Sequence, residues 1–172
     1  IIGGTGLNGG NSFIDSFAFG DGDAGDIFIS VRDLQMSDNS RLATAASSTF
    51  ETALANAGDI TVTANSVSID GSSSLTSAVD QGIGRAGTIT LTVFDLLSMT
   101  DASLSTDSGV NGQGGSILVQ GGATPASNAS SKVGGSLGVA LEDSFITASG
   151  RNGTAGSVGV VRPTISAETS AI

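Results

Sequence analysis

The sequence contains no Cys, His, Trp or Tyr, and it has only 2 Pro and 2 Met in 172 residues. Without His, a nucleophilic triad of the Ser-His-Asp kind cannot be assembled. Without His and Cys, the usual zinc and haem ligands are missing. The lack of Cys does not decide a redox compartment, because secreted chains either use disulfides or avoid the residue altogether. Cations are scarce as well: 6 Lys plus Arg stand against 16 Asp plus Glu, a formal net charge of −10. Phosphate backbones and anionic lipid surfaces need the opposite sign, so neither nucleic acid nor a membrane surface is an expected partner. No run approaches the roughly 20 apolar residues of a membrane span. The chain opens on Ile1 without a Met or a basic leader, as expected of a mature or excised segment.

What is abundant is Gly, with 26 residues, together with Ser, Thr, Ala and β-branched aliphatics. These residues recur in order. "DAGDIFISVRDLQMSDNSRLAT" (23–44), "NAGDITVTANSVSIDGSSSLTS" (56–77) and "RAGTITLTVFDLLSMTDASLST" (85–106) are three copies of one pattern. Anchoring each copy on its Gly gives Gly25, Gly58, Gly87, Gly115 and Gly156, spaced by 33, 29, 28 and 41 residues. Two positions on stand Ile27, Ile60, Ile89, Ile117 and Val158; four positions on stand Ile29, Val62, Leu91, Val119 and Val160. Nine positions on come Leu34, Val67, Leu96 and, in the last copy, Ile165; seventeen on come Leu42, Leu75 and Leu104. The fourth copy is interrupted by "ATPASNASSKVGGS" (123–136) and resumes with Val139, Leu141 and Ile146. Leu7 and Ile14 repeat the same seven-residue step at the start of the chain.

Alternating segments such as Ile60-Thr-Val62 and Val67-Ser-Ile69 read as short strands with one apolar face, separated by Gly, Asp, Asn and Ser turns. Helix competes poorly, since strong helix formers are sparse and Gly interrupts nearly every window. One copy of about 30 residues cannot bury its apolar face alone, whereas stacking equivalent copies closes a continuous core. The expected fold is all-β, a right-handed parallel β-helix (β-solenoid) of about five turns of 28–41 residues. Five turns at a strand spacing near 4.8 Å make a rod about 24 Å long. The whole of 1–172 is one such segment, with turns at about 1–23, 24–56, 57–85, 86–113, 114–154 (carrying the insertion 123–136) and 155–172, and it is expected to belong to a longer chain. Met36 and Ile69 share one internal column, joined by Met99 if a one-residue bulge precedes it. Thr61, Thr90 and Ser30 face outward, and Phe28 and Phe94 break that polarity.

The "AGDITVTANSVSIDGSSSLTS" pattern, over about residues 13–172, resembles the repeats of filamentous-haemagglutinin-type exoproteins, the secreted passengers of two-partner secretion systems. That resemblance implies a Gram-negative bacterial source, filamentous cyanobacteria included, and an extracellular or cell-surface location. It also implies an outer-membrane transporter as partner. The family's amino-terminal secretion motifs are not found here, so the segment is expected to be mid-shaft or carboxy-terminal.

Few residues suggest chemistry. Asp21, Asp23 and Asp26 in "FGDGDAGD" (19–26) carry the hard oxygens a calcium ion prefers, with ordinary turn Asp residues as the plainer reading. Asp26 and Asp59 occupy equivalent outward positions about 5 Å apart, but Thr88 and Ser116 follow them in the column. A polysaccharide-cleaving enzyme would want a carboxylate pair with aromatic platforms, and Trp, Tyr and His are missing. "GGTGLNGG" lacks the Lys-Ser/Thr and the helix of a phosphate-binding loop. "NAS" (128–130) and "NGT" (152–154) match the glycosylation pattern by chance. The insertion, with Pro125 and the only Lys, Lys132, is either a binding loop or a surface bulge. No catalytic, cofactor or metal residue is therefore assigned. The expected role is a non-catalytic structural and adhesive shaft segment with protein or glycan surface ligands. Its alternatives are a filament or sheath subunit that associates end to end and, disfavoured, a carbohydrate-active β-helix enzyme. Open ends at Ile1-Ile2 and Ala171-Ile172 would invite strand addition or continuation of the chain.

Overall fold

The computed structural model describes residues 12–48, 54–109, 112–122, 137–150 and 153–161. Among them lie twelve strands and no helix: β1 (Phe13–Phe19), β2 (Ile27–Ser30), β3 (Asp33–Met36), β4 (Arg41–Ser47), β5 (Ile60–Asp70), β6 (Ser74–Gln81), β7 (Thr88–Thr100), β8 (Ser103–Ser108), β9 (Ser116–Gly121), β10 (Gly138–Glu142), β11 (Phe145–Gly150) and β12 (Ser157–Val161). They form two sheets. One has the order β1-β4-β6-β8-β11, and the other β12-β9-β7-β5-β2, with β3 also on β5 and β10 also on β7. Every strand pairing is parallel. From β3 to β9 the chain changes sheet at every step, so each strand lies beside its equivalent from the neighbouring copy. The all-β, parallel, copy-on-copy arrangement expected from the sequence is thus present as two parallel sheets.

Register carries the repeat into the core. Ile27, Ile60, Ile89, Ile117 and Val158 align side by side, as do Ile29, Val62, Leu91, Val119 and Val160. In the other sheet Ile14, Leu42, Leu75, Leu104 and Ile146 form the matching column. The middle members of these columns are fully buried in one apolar cluster. Each buried aliphatic contributes roughly 1.5–3 kcal/mol.

One expected column is corrected. Leu96 does not join Leu34 and Val67. The register of β7 against β5 shifts between Ala64 and Ser66, which places Leu97 beside Val67 and Met99 beside Ile69. Leu97 is 0% exposed and Leu96 42% exposed. The extra residue is a bulge: Phe94 and Asp95 of β7 stand opposite Asn65 alone of β5, so every later β7 residue pairs one position further along than the offset from Gly87 gives. Val139 and Leu141 then continue the columns of Leu97 and Met99, as the repeat predicts. Ile165, Leu7 and the insertion 123–136 lie outside the described residues.

The recurring Gly has a packing cause. A Cβ at Gly58 would fall on the Gly25 carbonyl, one at Gly87 on the Gly58 carbonyl, one at Gly115 on that of Gly87, and one at Gly156 on that of Gly115. At this level the backbones of successive copies touch directly. The Gly58 carbonyl also accepts hydrogen bonds from the buried Thr44 (2.6 Å) and Ser77 (3.0 Å) hydroxyls, which tie the two sheets together. Ser77 in turn accepts the Gly87 N–H at 2.9 Å.

Candidate functional site

The acidic residues singled out in the sequence are used between copies. Asp26 Oδ1 accepts the Asp59 N–H at 2.8 Å, and Asp59 Oδ1 accepts the Thr88 N–H at 2.7 Å. Asp23 Oδ1 accepts both the backbone N–H and the side-chain Nδ2 of Asn56 at 2.9 Å, and Asn56 Oδ1 accepts the Arg85 N–H at 2.9 Å. Each side chain therefore caps an amide of the next copy that the strand ladder has not yet reached. Asp26 and Asp59 do occupy equivalent positions, but as brackets along a column. Among the described residues, no group of three or more metal-ligating side chains is close enough to hold an ion. Asp21 is exposed.

A second recurring set, of small polar residues, marks a corner. Asn39, Ser72, Asp101 and Asp143 have φ of 59°, 63°, 49° and 47°. Each lies two residues before the strands that start at Arg41, Ser74, Ser103 and Phe145. Asn and Asp tolerate this left-handed backbone better than most residues, which accounts for their recurrence here. Ser72 donates to Asp101 at 2.9 Å. Asp101, Asp143 and Phe145 line a shallow groove of about 190 Å³ with Ser72, Ser73 and Ser103.

Aromatic residues form the more distinctive surface. None of the described Phe side chains belongs to the core: Phe13, Phe17, Phe19, Phe28 and Phe145 are 46–84% exposed. Phe94 is half-buried, and its ring lies over Gly122 on the outside of the sheet. Phe13, Phe17 and Phe19 share one face of β1 because Ile14 points the other way and strand side chains alternate. The Phe17 and Phe19 rings lie 6.3 Å apart at 19°. The Arg41 guanidinium sits 5.0 Å from the Phe13 centroid and 5.5 Å from that of Phe17, within cation–π range. It is held there by Asp15, at 2.6 Å from Nη2 to Oδ2 and 3.2 Å from Nε to Oδ1. This forked hydrogen bond raises the Arg41 pKa above its ordinary value. The result is a rigid apolar platform with a fixed, charge-neutralised guanidinium. It can stack against flat apolar surfaces, such as sugar rings or aromatic side chains.

Sequence reading expected outward aromatics at Phe28 and Phe94 but missed Phe13, Phe17, Phe19, Phe145 and Arg41. Parity would have found them: with Ile14 assigned inward, 13, 17 and 19 face outward by alternation. Comparison with protein-family models, with curated proteins and with solved structures finds no match.

Proposed function

We propose that the two sheets are faces of a single right-handed parallel β-helix, and that the chain is a non-catalytic structural and adhesive shaft segment of a secreted surface exoprotein. The observation that carries this reading is the unbroken register of equivalent residues across successive copies, from Ile27 to Val158 and from Ile14 to Ile146. Such an arrangement extends by adding copies and needs no chemistry at any of them. The resemblance of the repeats to filamentous-haemagglutinin-type exoproteins supports a cell-surface location on a Gram-negative bacterium and export through an outer-membrane transporter. Exposed Phe side chains supply the contact points for protein or glycan ligands, since aromatic faces give large contact area at little entropic cost.

Retention of the purified chain on insoluble polysaccharides and on host-cell surfaces tests the reading. Retention is expected for the natural chain and is expected to fall several-fold for Phe17→Ser/Phe19→Ser, whose side chains are exposed and whose loss leaves the core intact. Release of reducing or unsaturated sugars that disappears on Asp59→Asn would replace the shaft by an enzyme.

A further inference from the structure

The geometry points to a binding site for a neutral polysaccharide strand, in a trough centred on Arg85 in the middle copies of the stack. The inference rests on the adhesive reading above for its class of ligand, and it adds a contact surface apart from the exposed Phe side chains. Just ahead of each anchoring Gly, successive copies also pair. The Ala57 N–H donates to the Arg85 carbonyl and the Ala86 N–H to the Gln113 carbonyl, both at 3.0 Å. A Cβ at Gly84 would fall on the Ala55 carbonyl and one at Gly112 on that of Gly84, so the backbones touch here too and hold the register. Asn56, Arg85 and Gln113 therefore follow one another along a single column, one strand spacing apart. Their neighbours Ala55, Ala57 and Ala86 are buried, which leaves the three polar side chains on the outer side. Two shallow grooves, of about 470 and 380 Å³, meet at Asn56 and Arg85. Leu54, Ile83 and Gln113 border the first, and Asp59 and Thr88 the second.

What the trough offers depends on which polar groups the fold already uses. Both ends of the Asn56 amide are engaged, Nδ2 donating to Asp23 and Oδ1 accepting the Arg85 N–H, so Asn56 is framework. One Asp59 oxygen accepts the Thr88 N–H. The second Asp59 oxygen, the Thr88 hydroxyl, the Gln113 amide and the Arg85 guanidinium remain for a ligand. Arg32 and Arg41 each have a carboxylate partner, whereas among the described residues Arg85 has none. Its N–H donors and the Gln113 amide group call for oxygen acceptors, and the Asp59 oxygen calls for a hydroxyl donor. A run of sugar hydroxyls, which donate and accept at closely spaced oxygens, meets both needs. An anionic ligand fits worse: Asp59 lines the same trough, Asp23 lies next to Asn56 in the column, and the chain carries a net charge of −10. On the far rim Leu54 and Ile83, 65% and 39% exposed, give the C–H edges of a sugar ring an apolar surface. Arg85 and Gln113 succeed one another from copy to copy, so the saccharide lies along the stacking direction.

Titration calorimetry with linear hexasaccharides of glucose, galactose and mannose, each tried singly, and with a hexamer of galacturonate tests the site. The natural chain is expected to bind at least one neutral hexasaccharide saturably, and equally at low and high salt because the ligand has no charge to screen. Arg85→Ala is expected to weaken that binding about tenfold. Arg85→Lys, which keeps the charge and loses the planar fork, should fall nearly as far. Gln113→Ala is expected to weaken it about threefold. The Arg85 and Gln113 side chains are exposed, so these variants should melt with the natural chain, which separates lost binding from lost folding. Phe17→Ser/Phe19→Ser should bind the hexasaccharide unchanged. If no neutral hexasaccharide binds, the site is overturned. Tighter binding of the galacturonate hexamer that weakens with salt also overturns it, as an anion site. Binding kept by Arg85→Ala and lost by Phe17→Ser/Phe19→Ser refutes the trough while the adhesive reading stands. Shortening of the hexasaccharide by the natural chain, lost on Arg85→Ala, supports the trough and overturns the non-catalytic reading instead.

Discussion

Leu96 and Leu97 are adjacent and chemically identical, so truncating each in turn isolates the effect of register. Leu97→Ala removes a fully buried side chain between Val67 and Val139. The lost burial is worth roughly 1.5–3 kcal/mol, and the cavity left in a packed column brings the total to about 2–5 kcal/mol. Leu96 is 42% exposed and lies beside Ser66 and Gly138 on the outer face. Its truncation gives up little more than half of a leucine's burial and leaves a gap open to water, so no closed cavity forms. The cost is about 1 kcal/mol or less. Urea denaturation followed by circular dichroism at the strand band should place the midpoint of Leu97→Ala below that of Leu96→Ala, a gap of about 1 kcal/mol or more. A strict nine-residue offset from Gly87, without the bulge, predicts the reverse order. Equal losses, or a larger loss for Leu96→Ala, would remove the bulge from β7 and with it the alignment of Met99 and Leu141.

Two further outcomes follow from the packing and electrostatics. Gly87→Ala drives a methyl group onto the Gly58 carbonyl and is expected to cost about 1–3 kcal/mol, while Gly22→Ala, with open space around it, is expected to stay within about 0.5 kcal/mol of the parent; thermal melts that rank them equally would contradict direct backbone stacking. The Ser66 hydroxyl, at 2.7 Å, and then the Arg32 side chain hold the Asp33 carboxyl below its ordinary value of 3.8. A carboxyl whose folded pKa is lowered stabilises the fold above that ordinary value and loses the contribution as pH falls through the lowered one. The natural chain is therefore expected to be more stable than Ser66→Ala well above pH 3.8, with the difference closing in stronger acid; a gap that is constant across chemical denaturation series at both pH values would assign the effect to something other than Asp33.

Much of the architecture was legible because the repeat is written in residue types that a strand face selects. Ile at 27, 60, 89 and 117 and Leu at 42, 75 and 104 keep their offsets from Gly, and these positions became the buried columns. The Met99 bulge was legible too, since a one-residue shift is needed to align it with Ile69. Leu96 misled for the same cause: the offsets from Gly87 demand the shift only beyond it, whereas the register changes before it, between Val93 and Leu96. The contact surface was harder to read. Phe carries no inside-or-outside label of its own, and an apolar residue in a strand is counted towards the core unless the parity of its neighbours is followed. Asp26 and Asp59 looked like a site because two carboxylates in one column suggest chemistry; the amides they cap belong to residues about 30 positions away, which no local pattern displays.

The strand-to-strand hydrogen bonds within each sheet run along the stacking direction, and the chain crosses from one copy to the next only once. A pull between the two ends therefore loads those bonds head-on and in series, the geometry in which rows open singly and in succession instead of shearing together. Rows around Val158 and Ile14, which are 45% and 41% exposed, give way before those around the fully buried Ile60 and Ile89. Each released copy of about 30 residues lengthens the tether by roughly 100 Å at about 3.4 Å per residue. As the shaft proposed above, such a stack would be short and stiff at rest and would yield under load in discrete increments, absorbing work at each one while its remaining rows hold.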